Sequence, residues 1–142
     1  MHKRPAMTAD EIQQLIVEGV PLVGQYGVTV TELTAGGAVL RMPCRDDFIR
    51  PGGTVTGPAM FGLADVALYA AVLSLIGRVE LAVTTSMTIN FLRKPEMRPL
   101  AAEARVLKLG RRLAYGDVMI YSEGDDDPVA HATGTYSVPP RE

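Results

Sequence analysis

The chain has 142 residues, of which 47% are hydrophobic and 21% charged, and its net charge is −2. That length and balance suit one globular core and exclude a disordered chain. With no block of Lys or Arg, the composition also argues against nucleic acid and anionic membrane as partners. The single cysteine, Cys44, allows no intramolecular disulfide and fits a cytoplasmic setting. His2 and His131 are the only histidines. Their spacing from each other and from Cys44 matches no metal site, and no phosphate-cradling glycine loop occurs. Neither metal nor cofactor is expected.

The N-terminal stretch "MHKRPAMTADEIQQLIVEGVPL" interleaves apolar residues with Asp10, Glu11 and Glu18, unlike a signal peptide. Thr8 followed three residues later by Glu11 has the form of a capping box, predicting a helix that fades near Gly19–Pro21. "QYGVTVTEL" and "GGAVLRM" read as strands around a turn at Ala35–Gly37. A polar connection, Pro43 to Gly53, then leads into an apolar run from Pro58 to Ile76 with one charge, Asp65, near its middle.

That run is about long enough to span a bilayer. The central carboxylate and the amphipathic strands that follow argue instead for a buried helix. Thr56-Gly57-Pro58 is a start signal, with Thr56 as capping side chain and Pro58 at the first helical position; Gly77 is a stop. Val83, Thr85, Met87, Ile89 and Phe91 then alternate with polar residues, predicting a strand with one buried face. Three further strands follow, in "LAAEARVLKLG", "RLAYGDVMIYSE" and "PVAHATGTYSV". A long helix that is apolar all round needs more cover than a flat sheet provides. A curved antiparallel sheet wrapped around it, an α+β fold, meets that need. The expected organisation is one domain over 1–142, with a helical segment at 1–20 and a frayed tail at 139–142.

Asp65 raises the functional question. An unpaired carboxylate in an apolar interior costs several kcal/mol, on the order of what a whole side chain's burial returns. Either hydrogen-bond partners satisfy it as a structural acid, or it lies in a cleft and does chemistry. Tyr69, one turn on, is placed to bond the carboxylate or a substrate, or to pack in the core. Ser74 reads as a helix hydroxyl bonded to its own backbone. His131 reads as structural.

"GTVTGPAMFGLADVAL" followed by "TTSMTINFLRKP" resembles the hotdog acyl-CoA thioesterases of the phenylacetate-pathway and 4-hydroxybenzoyl-CoA type. That family has a Gly-x-x-His-Gly-Gly loop leading into the central helix, Leu-Ala-Asp or Leu-Ala-Glu two turns later, and then a strand ending in Asn/Asp-Phe-Leu-Arg-Pro. The likeness runs from Gln25 to Val138. It implies the hotdog fold and hydrolysis of a small to medium, or aromatic, acyl-CoA. Asp65 falls on the family's catalytic carboxylate, and Gly57 on the glycine whose N–H holds the thioester carbonyl. Arg50 stands where Asn or Gln often assists, Thr56 stands in the place of the His, and Pro58 replaces the second glycine.

The residues agree with such chemistry. Asp65 can serve as nucleophile or general base, and an N–H at a helix start favours a developing oxyanion. Eight residues of helix separate Gly57 from Asp65 by about 12 Å, too far to serve one carbonyl carbon. Two antiparallel copies of the helix would bring Gly57 of one beside Asp65 of the other, giving a homodimer with composite sites, or a tetramer made by pairing dimers. Met60, Phe61, Met87 and Phe91, with Pro58 and Tyr69, are candidates to line the acyl pocket. Arg93, Lys94, Arg111 and Arg112 are candidates to hold the coenzyme A phosphates. A non-catalytic acyl-CoA or acyl-carrier binding module is the alternative, supported by the replaced His and Gly. A hotdog dehydratase would want a His and acid pair in this region.

Overall fold

The computed structural model, which describes residues 4–140, begins with helix α1 at Ala9–Gly19. His2 and the last two residues of the expected tail lie outside the described residues. The capping box forms as predicted: Glu11 N–H donates to Thr8 Oγ1 (3.1 Å), and Thr8 N–H donates to Glu11 Oε1 (2.9 Å). The chain does not simply fade after Gly19. Pro21 opens a further single turn, α2 at Pro21–Gly24, because its fixed φ suits a first helical position. Strands β1 (Thr29–Thr34) and β2 (Gly37–Met42) pair around the anticipated turn, where Gly36 takes a φ of +89°.

The polar connection holds more order than its composition suggested. A 3₁₀ turn at Asp46–Phe48 precedes β3 (Ile49–Arg50) and β4 (Thr54–Val55), which pair with each other. Two-residue strands are too short to leave a periodic signal. They end in the long helix α3, Gly57–Ile76. Its start departs from expectation in two details. Thr56 is the N-cap, but its side chain makes no capping bond; and Pro58 is the second helical residue, with Gly57 the first. Gly77 closes the helix at φ +80°, its N–H donating to Leu73 O (2.9 Å).

Strands β5 (Val83–Phe91), β6 (Leu100–Leu109), β7 (Leu113–Ser122) and β8 (Ala130–Ser137) complete a six-stranded antiparallel sheet in the order β1-β2-β6-β7-β8-β5. This is the hotdog fold: the sheet wraps one long helix. Glycine makes the close approach possible. Gly116 of β7 faces Gly134 of β8, and a Cβ at either would lie 2.6 or 2.9 Å from the methyls of Leu68. The apolar length of α3 is explained by this enclosure, since 72% of the window that could cross a membrane is buried. Ser74 bonds its own backbone as expected, to Ala71 O (2.6 Å), and also accepts the N–H of Gly36 (2.8 Å), tying the β1–β2 turn to the helix.

One strand breaks its predicted phase. A bulge between Thr84 and Ser86 adds a residue to β5, which flips the side-chain alternation. Thr84, Met87 and Ile89 therefore face α3, while Val83 points away and is 57% exposed. The two sheet edges also differ. Along β1, the side-chain amide of Gln13 donates to Val28 O (2.8 Å) and accepts from Val30 N–H (2.7 Å). Along β5, no strand pairs with the outer edge among the described residues.

Candidate active site

Asp65 sits on the half-enclosed face of α3, and its burial is compensated from the sheet. Thr84 Oγ1 of β5 and Tyr136 Oη of β8 both donate to Asp65 Oδ1, each at 2.6 Å. Tyr136 Oη also lies 2.9 Å from the Asp65 carbonyl oxygen, so its one proton is shared between two acceptors. Oδ2 has no protein partner among the described residues. Burial, reinforced by the charge of Asp65 and the bond to it, pushes the Tyr136 phenol far above its ordinary value. Tyr136 is thus a donor throughout the neutral range. Sequence reasoning missed both partners, which lie 19 and 71 residues from Asp65.

Tyr69 does not reach the carboxylate. It is buried, stacks on Tyr136 (ring centroids 5.9 Å apart) and donates to Glu80 O (3.2 Å). Its phenol is pushed up, chiefly by burial. It backs the ring that holds Asp65 and does not line the cleft.

The cleft that opens over Asp65 has a volume of about 610 Å³. Its floor is the face of α3 carrying Gly57, Pro58, Phe61, Gly62 and Asp65; Ile89 and Phe91 of β5 form one wall. The other wall is Leu22, Val23 and Tyr26, from the α2 turn. Gly57 and Asp65 therefore share one cleft within a protomer, but at opposite ends, about 12 Å apart along the helix. Gly57, as first helical residue, has an N–H with no acceptor among the described residues, and the Phe91 ring lies over it: a Cβ there would be 3.2 Å from Phe91 Cζ.

A second cleft, of about 420 Å³, adjoins the first at Gly57 and Phe91. Arg50, Met60, Arg93 and Lys94 line it. Arg50 and Lys94 are exposed and form no ion pair among the described residues. Arg93 is engaged by Asp125 and, at 3.2 Å, by Asp127; the bond to Asp125 raises its pKa further. Thr56 faces elsewhere, into a third hollow beside Tyr26, Arg45 and Phe48 that also reaches Pro58. Met87 packs in the core against Gly134 and lines none of these clefts. Arg111 and Arg112 are exposed at the β6–β7 turn. Register places that turn beside the Val83 end of β5 and Arg93–Lys94 beyond the Phe91 end. Nine residues of strand, roughly 30 Å, separate the two basic pairs within a protomer.

His131, read from the sequence as structural, has an acid partner. Its Nε2 sits 3.0 Å from Asp117 Oδ2, while Arg105 Nε donates to Asp117 Oδ1 (2.8 Å). Asp117 alternates with Val118 and Gly116, which face α3, so this trio lies on the sheet's outer surface, away from Asp65. Burial works to raise the Asp117 pKa, but hydrogen bonds from Arg105 and His131, with their charges, outweigh it and hold the carboxyl below its ordinary value. Among the described residues, no cluster of His, Cys, Asp and Glu could hold a metal ion.

A long helix wrapped by a curled antiparallel sheet is the architecture shared with known thioester hydrolases. The family model described as "Thioesterase superfamily" matches residues 52–129. A crystal structure of a "putative thioesterase" from Silicibacter sp. TM1040 is 45% identical, with TM-score 0.86, covering 96% of this chain and 94% of that one. A variant of the phenylacetic acid degradation protein PaaI from Thermus thermophilus is 31% identical, with TM-score 0.73, covering 83% of this chain and 98% of that one. Among curated proteins, a "putative esterase" of Saccharolobus solfataricus is 29% identical over 94% of this chain and 87% of its own length. The chain belongs to the thioesterase superfamily.

Proposed function

We propose that the protein hydrolyses the thioester of small to medium, or aromatic, acyl-CoA substrates, with Asp65 as the reacting carboxylate. The observation that carries this reading is the asymmetric treatment of Asp65: Thr84 and Tyr136 both hold Oδ1, which leaves Oδ2 to the apolar cleft. Two routes use that oxygen. As a general base, Oδ2 takes a proton from a water molecule that attacks the carbonyl carbon. As a nucleophile, Oδ2 itself attacks, coenzyme A leaves, and water cleaves the resulting mixed anhydride. In both, the carbon–sulfur bond breaks, the acid forms, and coenzyme A departs as the thiol after taking up a proton. The oxyanion of the tetrahedral intermediate needs a donor, and the unpaired Gly57 N–H at a helix start supplies one.

The 12 Å spacing of Gly57 and Asp65 requires that these groups come from two subunits. The open edge of β5 supports this. Nine residues without Pro or Lys form a template for pairing with another strand. Two β5 edges meeting antiparallel about a two-fold axis would set the two α3 helices side by side. The same operation turns the partner subunit's Val83 end toward this protomer's Phe91 end. Arg111 and Arg112 of the partner subunit would then approach the basic cleft of Arg50, Arg93 and Lys94, where the coenzyme phosphates bind. Arg50 and Lys94, which form no ion pair among the described residues, carry more of that task than Arg93. Pairing of such dimers would give a tetramer, and the single cysteine agrees with a cytoplasmic location.

The test is hydrolysis of a panel of acyl-CoAs followed with a thiol reagent, for the wild type and for Asp65→Asn. The expected result is turnover by the wild type and a loss of at least about 100-fold in the variant, with the melting temperature retained. Binding of acyl-CoA without turnover by the wild type would replace hydrolysis with the binding-module reading.

A further inference from the structure

The wall of the Asp65 cleft opposite β5 comes from a part of the chain outside the helix and strands that carry the proposed chemistry. Pro21 turns the chain into α2, Val23 anchors that turn in the core, and Leu22 is left projecting, 68% exposed, at the cleft mouth. Two residues beyond α2, Tyr26 brings the hydroxyl end of its ring against α3 at Gly62. A Cβ on Gly62 would come 2.9 Å from Tyr26 Cε2, so the ring occupies the space that any other residue at 62 would fill. Phe48 packs edge-on to the Tyr26 ring (centroids 5.2 Å apart, planes at 70°), and the Arg45 guanidinium lies over the Phe48 ring (5.7 Å to the centroid). Phe48 therefore backs the Tyr26 ring on one side. Gly62 precedes Asp65 by three residues, about 4.5 Å along the helix.

We infer that Tyr26 and Leu22 are the residues that set acyl size. This rests on the thioesterase reading of the same site. An acyl group whose carbonyl lies at Asp65 meets the Tyr26 ring within one helical turn, between it and the Ile89–Phe91 wall. Compact acyl groups, short or planar, need only the space before the ring; a long flexible chain must displace the ring or leave the groove past Leu22. Gly62 belongs to the same device, because its missing side chain lets the ring close in.

The experiment measures binding of non-hydrolysable thioether analogues of butyryl-CoA and decanoyl-CoA by calorimetry, alongside kcat/KM for the corresponding thioesters. The readout is the ratio of decanoyl to butyryl affinity. Tyr26→Ala and Leu22→Ala should each shift that ratio toward the long chain, by about tenfold for Tyr26→Ala, the scale of one or two methylenes in an apolar pocket. Tyr26→Phe keeps the ring and should leave the ratio as in the wild type. Leu22 is exposed, so its variant decides the matter even if Tyr26→Ala does not fold. A ratio within twofold of wild type in the folded Ala variants, or failure of the wild type to bind either thioether, overturns the assignment. If the thioethers bind with the expected shift but no thioester is hydrolysed, the size wall stands and the hydrolytic reading falls.

Discussion

The two edges of the sheet are treated in opposite ways. At the β1 edge, the Gln13 amide of α1 bonds the backbone of Val28 and Val30, as a neighbouring strand would. At the β5 edge, nine residues are left without a partner strand among the described residues, and Val83 and Phe91 at its two ends are 57% and 52% exposed. An unpaired strand edge is a liability that proteins block with charge, proline or a covering element. This chain blocks one edge and not the other, and the open edge belongs to the strand whose Thr84 holds Asp65. In the proposed reading, β5 is kept for a second copy, and the carboxylate that Thr84 holds is coupled to that contact.

The largest effect should come from closing the open edge. In the double variant Ser86→Lys, Thr88→Lys, both positions are exposed, so the protomer should fold. Antiparallel self-pairing about the strand centre would set these lysines opposite one another, and like charges juxtaposed at an interface are costly. Sedimentation should report a dimer dissociation constant raised about tenfold or more, with turnover falling as the dimer does. Retention of a tight, active dimer would move the interface elsewhere.

A smaller loss is expected inside the site. Tyr136→Phe removes one of two donors to Asp65 Oδ1 and should lower kcat by about tenfold, in line with a hydrogen bond to a carboxylate. It should also change the alkaline limb of stability. The folded Tyr136 pKa is raised, so the folded state holds its proton after the unfolded chain has lost it. Its contribution is present below about pH 10, the unfolded value, and is lost as pH rises above that. Urea titrations at pH 8 and 10.5 should show a shallower decline for Tyr136→Phe than for the wild type.

The closed edge should matter to stability and not to assembly. Gln13→Ala leaves Val28 O and Val30 N–H without their partner and should cost about 1–2 kcal/mol, read as a lower urea midpoint, with the dimer constant unchanged. A changed dimer constant would erase the distinction between the edges.

The smallest effect lies on the outer face of β7, inside the sheet and on neither edge strand. Asp117 is held below its ordinary pKa, so the folded state binds fewer protons than the unfolded chain just below the unfolded value. That stabilisation is present above about pH 4 and is lost as pH falls through the folded pKa. Asp117→Asn should therefore reduce the stability difference between pH 6 and pH 3 without altering acyl-CoA turnover. An undiminished acid sensitivity would assign it to other carboxylates.

Local sequence patterns made the fold legible. The Thr8–Glu11 capping box, the apolar run from Pro58 to Ile76 and the alternating strands lie within single elements, where periodicity reports burial directly. Asp65 stood out for the same reason, as one charge in an apolar helix. What holds Asp65 did not, because Thr84 and Tyr136 meet it only through sheet pairing, and a bulge in β5 sets the phase that points Thr84 inward. The pairing of His131 with Asp117 likewise crosses a hairpin. Tyr26 stood in the predicted strand "QYGVTVTEL", whereas β1 begins only at Thr29 and Tyr26 lies in the turn after α2. Its role depends on one missing side chain, at Gly62, on an element more than thirty residues away.

The composite site is tested most directly by mixing two inactive variants. Asp65→Asn removes the carboxylate. Gly57→Val places bulk against Phe91, since even a Cβ there would lie 3.2 Å from the ring, and blocks the carbonyl's approach to the N–H. In a mixed dimer, one site pairs an intact Gly57 with an intact Asp65 and the other has neither. With free exchange, equal mixing should restore about a quarter of wild-type activity, since half of the dimers are mixed and each carries one working site. A mixture no more active than its components, with exchange demonstrated by mass spectrometry, would contradict a site built across the β5 edge.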